Sequence, residues 1–255
     1  MSRISDAISE LHKLDMEAEK PGWLQGIHPL PKLLITLFFL VLTVSYGKYN
    51  LAGLLEMGVY LIVLFVFGDI SFKLLLKRMK VILALVCLMG IVNPFFDREI
   101  MFRLGGFAVT GGMISAVTLA LKGIYAVSAS YILIVTTSVE DICYALQKLR
   151  VPKVFVTVLM LVYRYIIVFL KETERMMDAY TLRAPGQRGL NYKVWGTFAG
   201  QLLLRSMDRA QTVYDSMLLR GYDGNYYLRC KKAAEYSDYV YAAAWSAVLL
   251  FLRVR

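Results

Sequence analysis

The sequence predicts an all-α, polytopic integral membrane protein, and three observations carry that prediction. First, 58% of the 255 residues are hydrophobic and the mean hydropathy is +0.55, too apolar for an ordinary soluble domain. Second, the apolar residues gather in separate runs close to the about 20 residues that cross a bilayer as helix. Third, the net charge of +10 comes from Lys and Arg placed between those runs. On a membrane protein such cations collect in cytoplasmic loops, beside the anionic inner leaflet. Because they punctuate apolar segments and form no polar domain, they point to the lipid bilayer as a partner and not to nucleic acid.

The elements follow in order. The first 27 residues are polar and mixed in charge, with Arg3, Lys13 and Lys20 and no apolar centre, so no cleavable signal peptide is expected. His28-Pro29-Leu30-Pro31-Lys32 opens a first span, Leu33–Tyr46, with prolines where a missing N–H costs little. After the turn Gly47–Asn50 comes a second span, Leu51–Phe67, containing Glu56. The link Asp69–Lys80 carries Lys73, Lys77, Arg78 and Lys80 and leads to a third span, Val81–Phe96. Gly105-Gly106 and Gly111-Gly112 mark a loop before a fourth span, Met113–Thr136, which contains Lys122. No segment reads as a strand.

With the N-terminus inside, the first outer loop has only Lys48 and the following inner link has four cations, in keeping with the positive-inside rule. Ser138-Val139-Glu140-Asp141 begins a helix with a hydroxyl cap and acids in the first turn, ending near Val151-Pro152. Val154–Leu170 follows, apolar except for Arg164, and its length of about 25 Å is marginal for crossing. If it crossed, the 11 Lys and Arg of Lys171–Lys232 would lie outside, so it is expected within or along the inner leaflet, with the basic tract cytoplasmic. Tyr239–Leu252 reads as a short fifth span, with Arg253 and Arg255 beyond it. The expected organisation is a membrane part with four spans (1–137), a cytoplasmic region (138–236) and a C-terminal span (237–255).

Chemistry-bearing motifs are sparse. Cys87, Cys143 and Cys230 are far apart, and His12 and His28 are the only histidines, so neither a disulfide framework nor a metal cage is expected. There is no P-loop, no HExxH and no GxSxG, so no cofactor and no enzymatic activity are expected. Lys122, Glu56 and Arg164 are the ionisable residues inside apolar runs, where charge is a functional suspect by default. Each could instead snorkel to a boundary or pair within the bundle.

Two similar helix endings stand out. One runs from Arg175 through Tyr180-Thr181-Leu182-Arg183-Ala184-Pro185-Gly186, the other from Tyr214 through Leu218-Leu219-Arg220-Gly221-Tyr222. Each is a helix-period stretch with an Arg in its final turn and a small residue behind it. Taken singly, such an Arg complements the helix dipole and Gly221 supplies a left-handed terminating residue. Their recurrence favours recognition, since an exposed guanidinium forks onto a partner's carboxylate. The stretch Trp195–Arg220 is amphipathic, with Phe198, Leu202, Met207, Val213, Met217 and Leu218 against Arg205, Asp208, Arg209 and Asp215. It would cover the protein's own core, lie in the membrane interface, or fill a partner's groove.

At these residues the chain resembles the T component of energy-coupling factor importers, the membrane scaffold of a class of ABC importers. The resemblance runs from His28-Pro29-Leu30-Pro31-Lys32 to Gly224. In that family two coupling helices end in Ala-Arg-Gly-like motifs that dock into ATPase grooves. The matching triplets here are Leu182-Arg183-Ala184 and Leu219-Arg220-Gly221, which keep the central Arg and change its neighbours. Asn93–Arg98, Leu121-Lys122-Gly123, Tyr163-Arg164-Tyr165, Tyr180–Gly186 and Trp195-Gly196 are similar to the cobalt/nickel (CbiQ) subgroup. The resemblance implies a non-catalytic subunit in the plasma membrane, with its N-terminus and coupling helices cytoplasmic. Its implied partners are two ABC ATPase subunits and a metal-capturing, substrate-binding membrane subunit. A vitamin-importing T component and a self-sufficient permease or channel are the alternatives.

Overall fold

The computed structural model describes residues 8, 9, 16, 22–48, 50–68, 100–104, 107–186, 191–224, 226 and 235–254. The expected third span, 81–96, and its basic link lie outside the described residues. In chain order the elements are α1 (Trp23–Gly26), α2 (Pro29–Ser45), α3 (Leu51–Gly68), β1 (Ile100–Leu104), β2 (Phe107–Thr110), α4 (Gly111–Thr136), α5 (Val139–Lys148), α6 (Lys153–Arg183), α7 (Trp195–Leu219) and α8 (Tyr236–Val254). The chain divides into two compact units, one of residues 17–138 and 231–255, the other of residues 1–16 and 139–230.

The first unit is a helical bundle in which α2, α3, α4 and α8 pack together. Its core holds Phe39, Leu54, Met57 and Leu249, and the Tyr60 ring lies 4.7 Å from Phe39 and 4.9 Å from Trp245. The opposite faces are apolar as well. Leu34, Leu37, Val41 and Val44 line one exposed stripe of α2, and Leu55, Val59, Ile62 and Val66 one of α3. A helix apolar on both its buried and exposed faces is solvated by lipid, not water. Both α3 and α4 are long and apolar enough to cross a membrane, while α2, at 17 residues, is a shorter apolar helix. The expected fifth span is the 19-residue α8. Its polar first turn, Tyr236-Ser237-Asp238, dilutes its apolarity, and it falls outside that long apolar group.

Polar groups fasten the ends of this bundle. Prolines open α2, and His28 Nδ1 accepts the Leu30 N–H at 3.3 Å. Asp238, only 6% exposed, accepts from the His28 N–H and from the Glu235 N–H, and so caps α2 and α8 together. Lys32, 4% exposed, donates to the Thr136 carbonyl at the end of α4. At the other end of α2, Lys122 donates to the Val44 and Tyr46 carbonyls, and Arg253 donates to Ser45 and lies over the Tyr46 ring. Cations at a helix C-terminus satisfy its orphan carbonyls and complement its dipole. Lys122 and Arg253 are therefore engaged as caps.

Two expectations need correction. The loop before α4 contains an antiparallel hairpin, with Leu104 paired to Phe107 and Arg103 to Ala108. Only Gly105-Gly106 separates the strands in sequence. The fold class remains helical; strands of only five and four residues leave little alternation to read in sequence. Second, 154–170 is not a separate short segment. It is part of the 31-residue α6, long and apolar enough to cross by length and composition. Lys171-Glu172-Thr173-Glu174-Arg175 changes polarity without breaking helix propensity, since Lys, Glu and Arg are good helix formers. The argument from length against crossing falls; the argument from charge does not depend on it.

Gly58 sits where α3 meets α4. A Cβ there would lie 2.5 Å from the Tyr125 hydroxyl and 3.1 Å from its Cζ. Small residues allow such close approach in membrane bundles. Gly58→Ala is expected to cost about 1–3 kcal/mol through overpacking, read as a lower melting temperature in detergent. Adding Tyr125→Phe, which removes the nearest atom, recovers part of the loss. An unchanged melting temperature in the single variant would show that the contact yields freely.

Candidate functional site

The second unit carries both helix endings. α5 begins with Glu140 and Asp141 in its first turn and ends with Lys148, so its charges complement its dipole at both ends. It closes with the Val151 N–H on Leu146 O and the Arg150 N–H on Gln147 O. Arg150 holds the left-handed position, φ 61°, that glycine ordinarily takes. Cys143 is fully buried beside Val156 and Met160 of α6. Burial raises its thiol pKa, with the Glu140 carboxylate adding to the effect, so it stays protonated and serves as core.

α6 and α7 are mostly exposed. Only Val156, Thr157 and Met160 of α6 are buried, and no residue of α7 is. Phe198, Leu202, Val213 and Met217 form a half-buried stripe, while Leu203, Leu204, Met207, Tyr214 and Leu218 remain exposed. A helix with no fully buried residue and five large apolar side chains exposed covers little core among the described residues. Of the three readings of this amphipathic helix, the interface and the partner's groove account for those exposed side chains. Glu172 of α6 ties the pair together, accepting from Arg205 of α7 and lying 3.9 Å from Arg175.

The two endings stop by different means. α6 runs to Arg183, and the Ala184 N–H bonds to Tyr180 O. Ala184 precedes Pro185, whose ring excludes helical backbone from the residue before it. Ala184 accordingly adopts φ −125°, ψ 66°. α7 ends in a complete Schellman motif, with the Tyr222 N–H on Met217 O at 3.0 Å and the Gly221 N–H on Leu218 O at 2.9 Å. Gly221 supplies φ 82° and Arg220 is the last helical residue's cap. At both tips the aliphatic residue is thrown outward, Leu182 83% and Leu219 90% exposed. Arg183 and Arg220 are exposed too.

The endings also differ in surroundings. Arg220 and Gly221 line a cleft of about 680 Å³ between α6 and α7, together with Arg164 and Arg209. Leu182, Arg183 and Ala184 do not line it. Arg164, suspected as an intramembrane charge, thus belongs to a basic cleft. Arg209 was legible only as part of a helix's polar side, because nothing local in sequence places it opposite Arg164. Glu56, the remaining suspect, is half-buried on α3.

Residues 21–229 match the family described as CbiQ, cobalt transport protein. The chain belongs to that family. It is similar to an uncharacterised protein of Methanocaldococcus jannaschii, at 28% identity over 213 residues, covering 80% of this chain and 72% of that one. It is 31% identical over 155 residues to a putative fused cobalt transport protein, CbiMQ, of Methanocorpusculum labreanum, covering 59% of this chain but only 25% of that much longer relative. The energy-coupling factor transporter transmembrane protein EcfT of Bacillus subtilis is 26% identical over 210 residues, 75% of this chain and 77% of its own length. The resemblance drawn from the helix endings therefore stands: this is a T component of the CbiQ type, in a family of membrane transport proteins.

Proposed function

We propose that this chain is the transmembrane coupling subunit of an energy-coupling factor importer. The tips Leu182-Arg183-Ala184 and Leu219-Arg220-Gly221 dock into two ATPase subunits and pass their motion to a separate substrate-binding membrane subunit. The observation that carries this reading is the pair of projecting tips, each presenting an outward leucine beside an exposed arginine. Neither arginine has an ion-pair partner among the described residues. Such a tip brings an apolar anchor and a guanidinium that meets a carboxylate in a receiving groove. On this reading residues 1–137 and 237–255 supply the spans and 138–236 the cytoplasmic region, in the plasma membrane with the N-terminus inside. Cobalt or nickel is the favoured cargo, in line with the description of the family and the name of the fused relative. The permease alternative loses ground because Lys122, its leading path residue, is engaged as a helix cap.

Affinity purification of the tagged chain from its native membrane tests the proposal. It should bring down two ATPase subunits and a small membrane protein, and reconstituted alone it should neither hydrolyse ATP nor move Co²⁺ or Ni²⁺. Metal uptake into liposomes holding this chain alone would overturn the coupling reading in favour of a permease.

A further inference from the structure

The cleft between α6 and α7 has a chemistry that projecting tips do not need. Its polar end is lined by Arg164, Arg209 and Arg220, and among the described residues no Asp or Glu lines it. None of the three has an ion-pair partner among the described residues, whereas Arg175 and Arg205 on the same two helices both have Glu172. Arg209 lies over the Tyr165 ring, 5.9 Å from its centroid, which holds it at the cleft. The Thr212 and Ser216 hydroxyls are already committed, Thr212 donating to Asp208 O and Ser216 to Thr212 O. The cationic donors are the guanidiniums, which fit phosphate geometry bidentately. Three like charges around one concavity call for an anion supplied from outside.

The same cleft continues into an apolar one of about 450 Å³, walled by Val158, Val162, Phe169, Val213 and Met217. Leu161, Tyr165, Arg209 and Tyr222 line both parts, so basic end and apolar wall form one continuous surface. An occupant must therefore be anionic at one end and hydrocarbon along the rest. A free phosphate leaves the apolar wall empty, and an acidic peptide segment matches only the basic end. The α6 wall moreover belongs to a helix apolar enough to lie in a bilayer.

We infer that this cleft binds one anionic membrane phospholipid, its phosphate held by Arg164 and Arg209 and an acyl chain laid against Val158, Val162 and Phe169. The bound lipid would fix α6 against α7 and so set the separation of the two helix tips. Because Arg164 and Arg209 lie outside those tips, the inference does not rest on the docking reading and can fail separately from it.

The test uses the full chain in nanodiscs of phosphatidylcholine with or without phosphatidylglycerol, followed by native mass spectrometry of retained lipid. One phosphatidylglycerol should stay bound per chain, displaced by neither phosphatidylcholine nor millimolar inorganic phosphate. At roughly fivefold per arginine near a membrane surface, Arg164→Gln with Arg209→Gln should weaken retention about twenty-five-fold. Arg164→Gln alone should weaken retention about fivefold, whereas Arg175→Gln, with the same loss of one charge outside the cleft, should keep the lipid, and melting temperatures confirm that all variants fold. Equal retention of both lipids, an unchanged double variant, or displacement by inorganic phosphate would each overturn the proposal. So would protection of the cleft by an ATPase subunit with no lipid retained, since that would make it a protein-docking surface.

Discussion

Replacing both Arg183 and Arg220 by Ala should nearly abolish assembly with the ATPases and ATP-driven uptake. Each arginine is exposed at a helix C-terminus, and two physical roles predict very different losses. If each only complements its own dipole, its removal costs about 0.3–1 kcal/mol locally and the complex persists. The termini do not depend on the guanidiniums. α7 is closed by backbone bonds to Met217 and Leu218 through Gly221 and Tyr222, and α6 by Pro185 and the Ala184 N–H. Loss of the side chains should leave both helices standing, so a large defect would report docking and not unfolding. If each guanidinium meets a buried carboxylate, truncation leaves that acid unpaired at about 2–5 kcal/mol of binding. Two tips on one scaffold act multivalently, so a single variant is partly masked by the surviving contact. Lys replacements should rescue incompletely, because an ammonium cannot make the bidentate fork. The measurement is co-purification of ATPases and metal uptake in the single, double and Lys variants. A double Ala variant that assembles and transports like the parent would return both residues to the role of simple caps.

Much of this was legible in the chain because it depends on neighbours in sequence. Apolar run lengths located α3 and α4 closely, expected at 51–67 and 113–136 and found at Leu51–Gly68 and Gly111–Thr136. Acids at 140–141 marked the start of α5, and both helix endings stop at the residues expected. What the sequence concealed depends on contacts across the fold. Polarity changes at Lys171, yet the backbone of α6 continues through it, since hydropathy reports surroundings and not helix propensity. Lys122 looked like an intramembrane charge in search of a path, but its partners are carbonyls 76 and 78 positions away. The basic cleft was invisible for the same reason, because Arg164 and Arg209 are on different helices and only packing brings them together.

Asp238 shows how such long-range polar links hold the bundle, and Asp238→Ala is expected to be the most destabilising single change in it. The side chain is buried, and its two oxygens accept separately, Oδ1 from the His28 N–H at 3.2 Å and Oδ2 from the Glu235 N–H at 3.0 Å. One donor lies at the N-cap of α2, the other just ahead of α8, so a single carboxylate serves the first turns of two helices distant in sequence. Both helix N-termini also present positive partial charge to it. Alanine would strand two donors in a site that admits little water, each at about 1–3 kcal/mol. It would leave unsatisfied the group that seats α8 at this end of the bundle, while Arg253 remains on Ser45 at the other. The expected loss is about 2–6 kcal/mol, seen as a lower melting temperature in detergent and earlier proteolysis near α8. Asp238→Asn, isosteric but with one carbonyl oxygen, should retain one of the two bonds and fall between the parent and Ala. If Asn melted no higher than Ala, the bond it retains would carry no weight and α8 would be held at this end by its apolar contacts with α2 and α3.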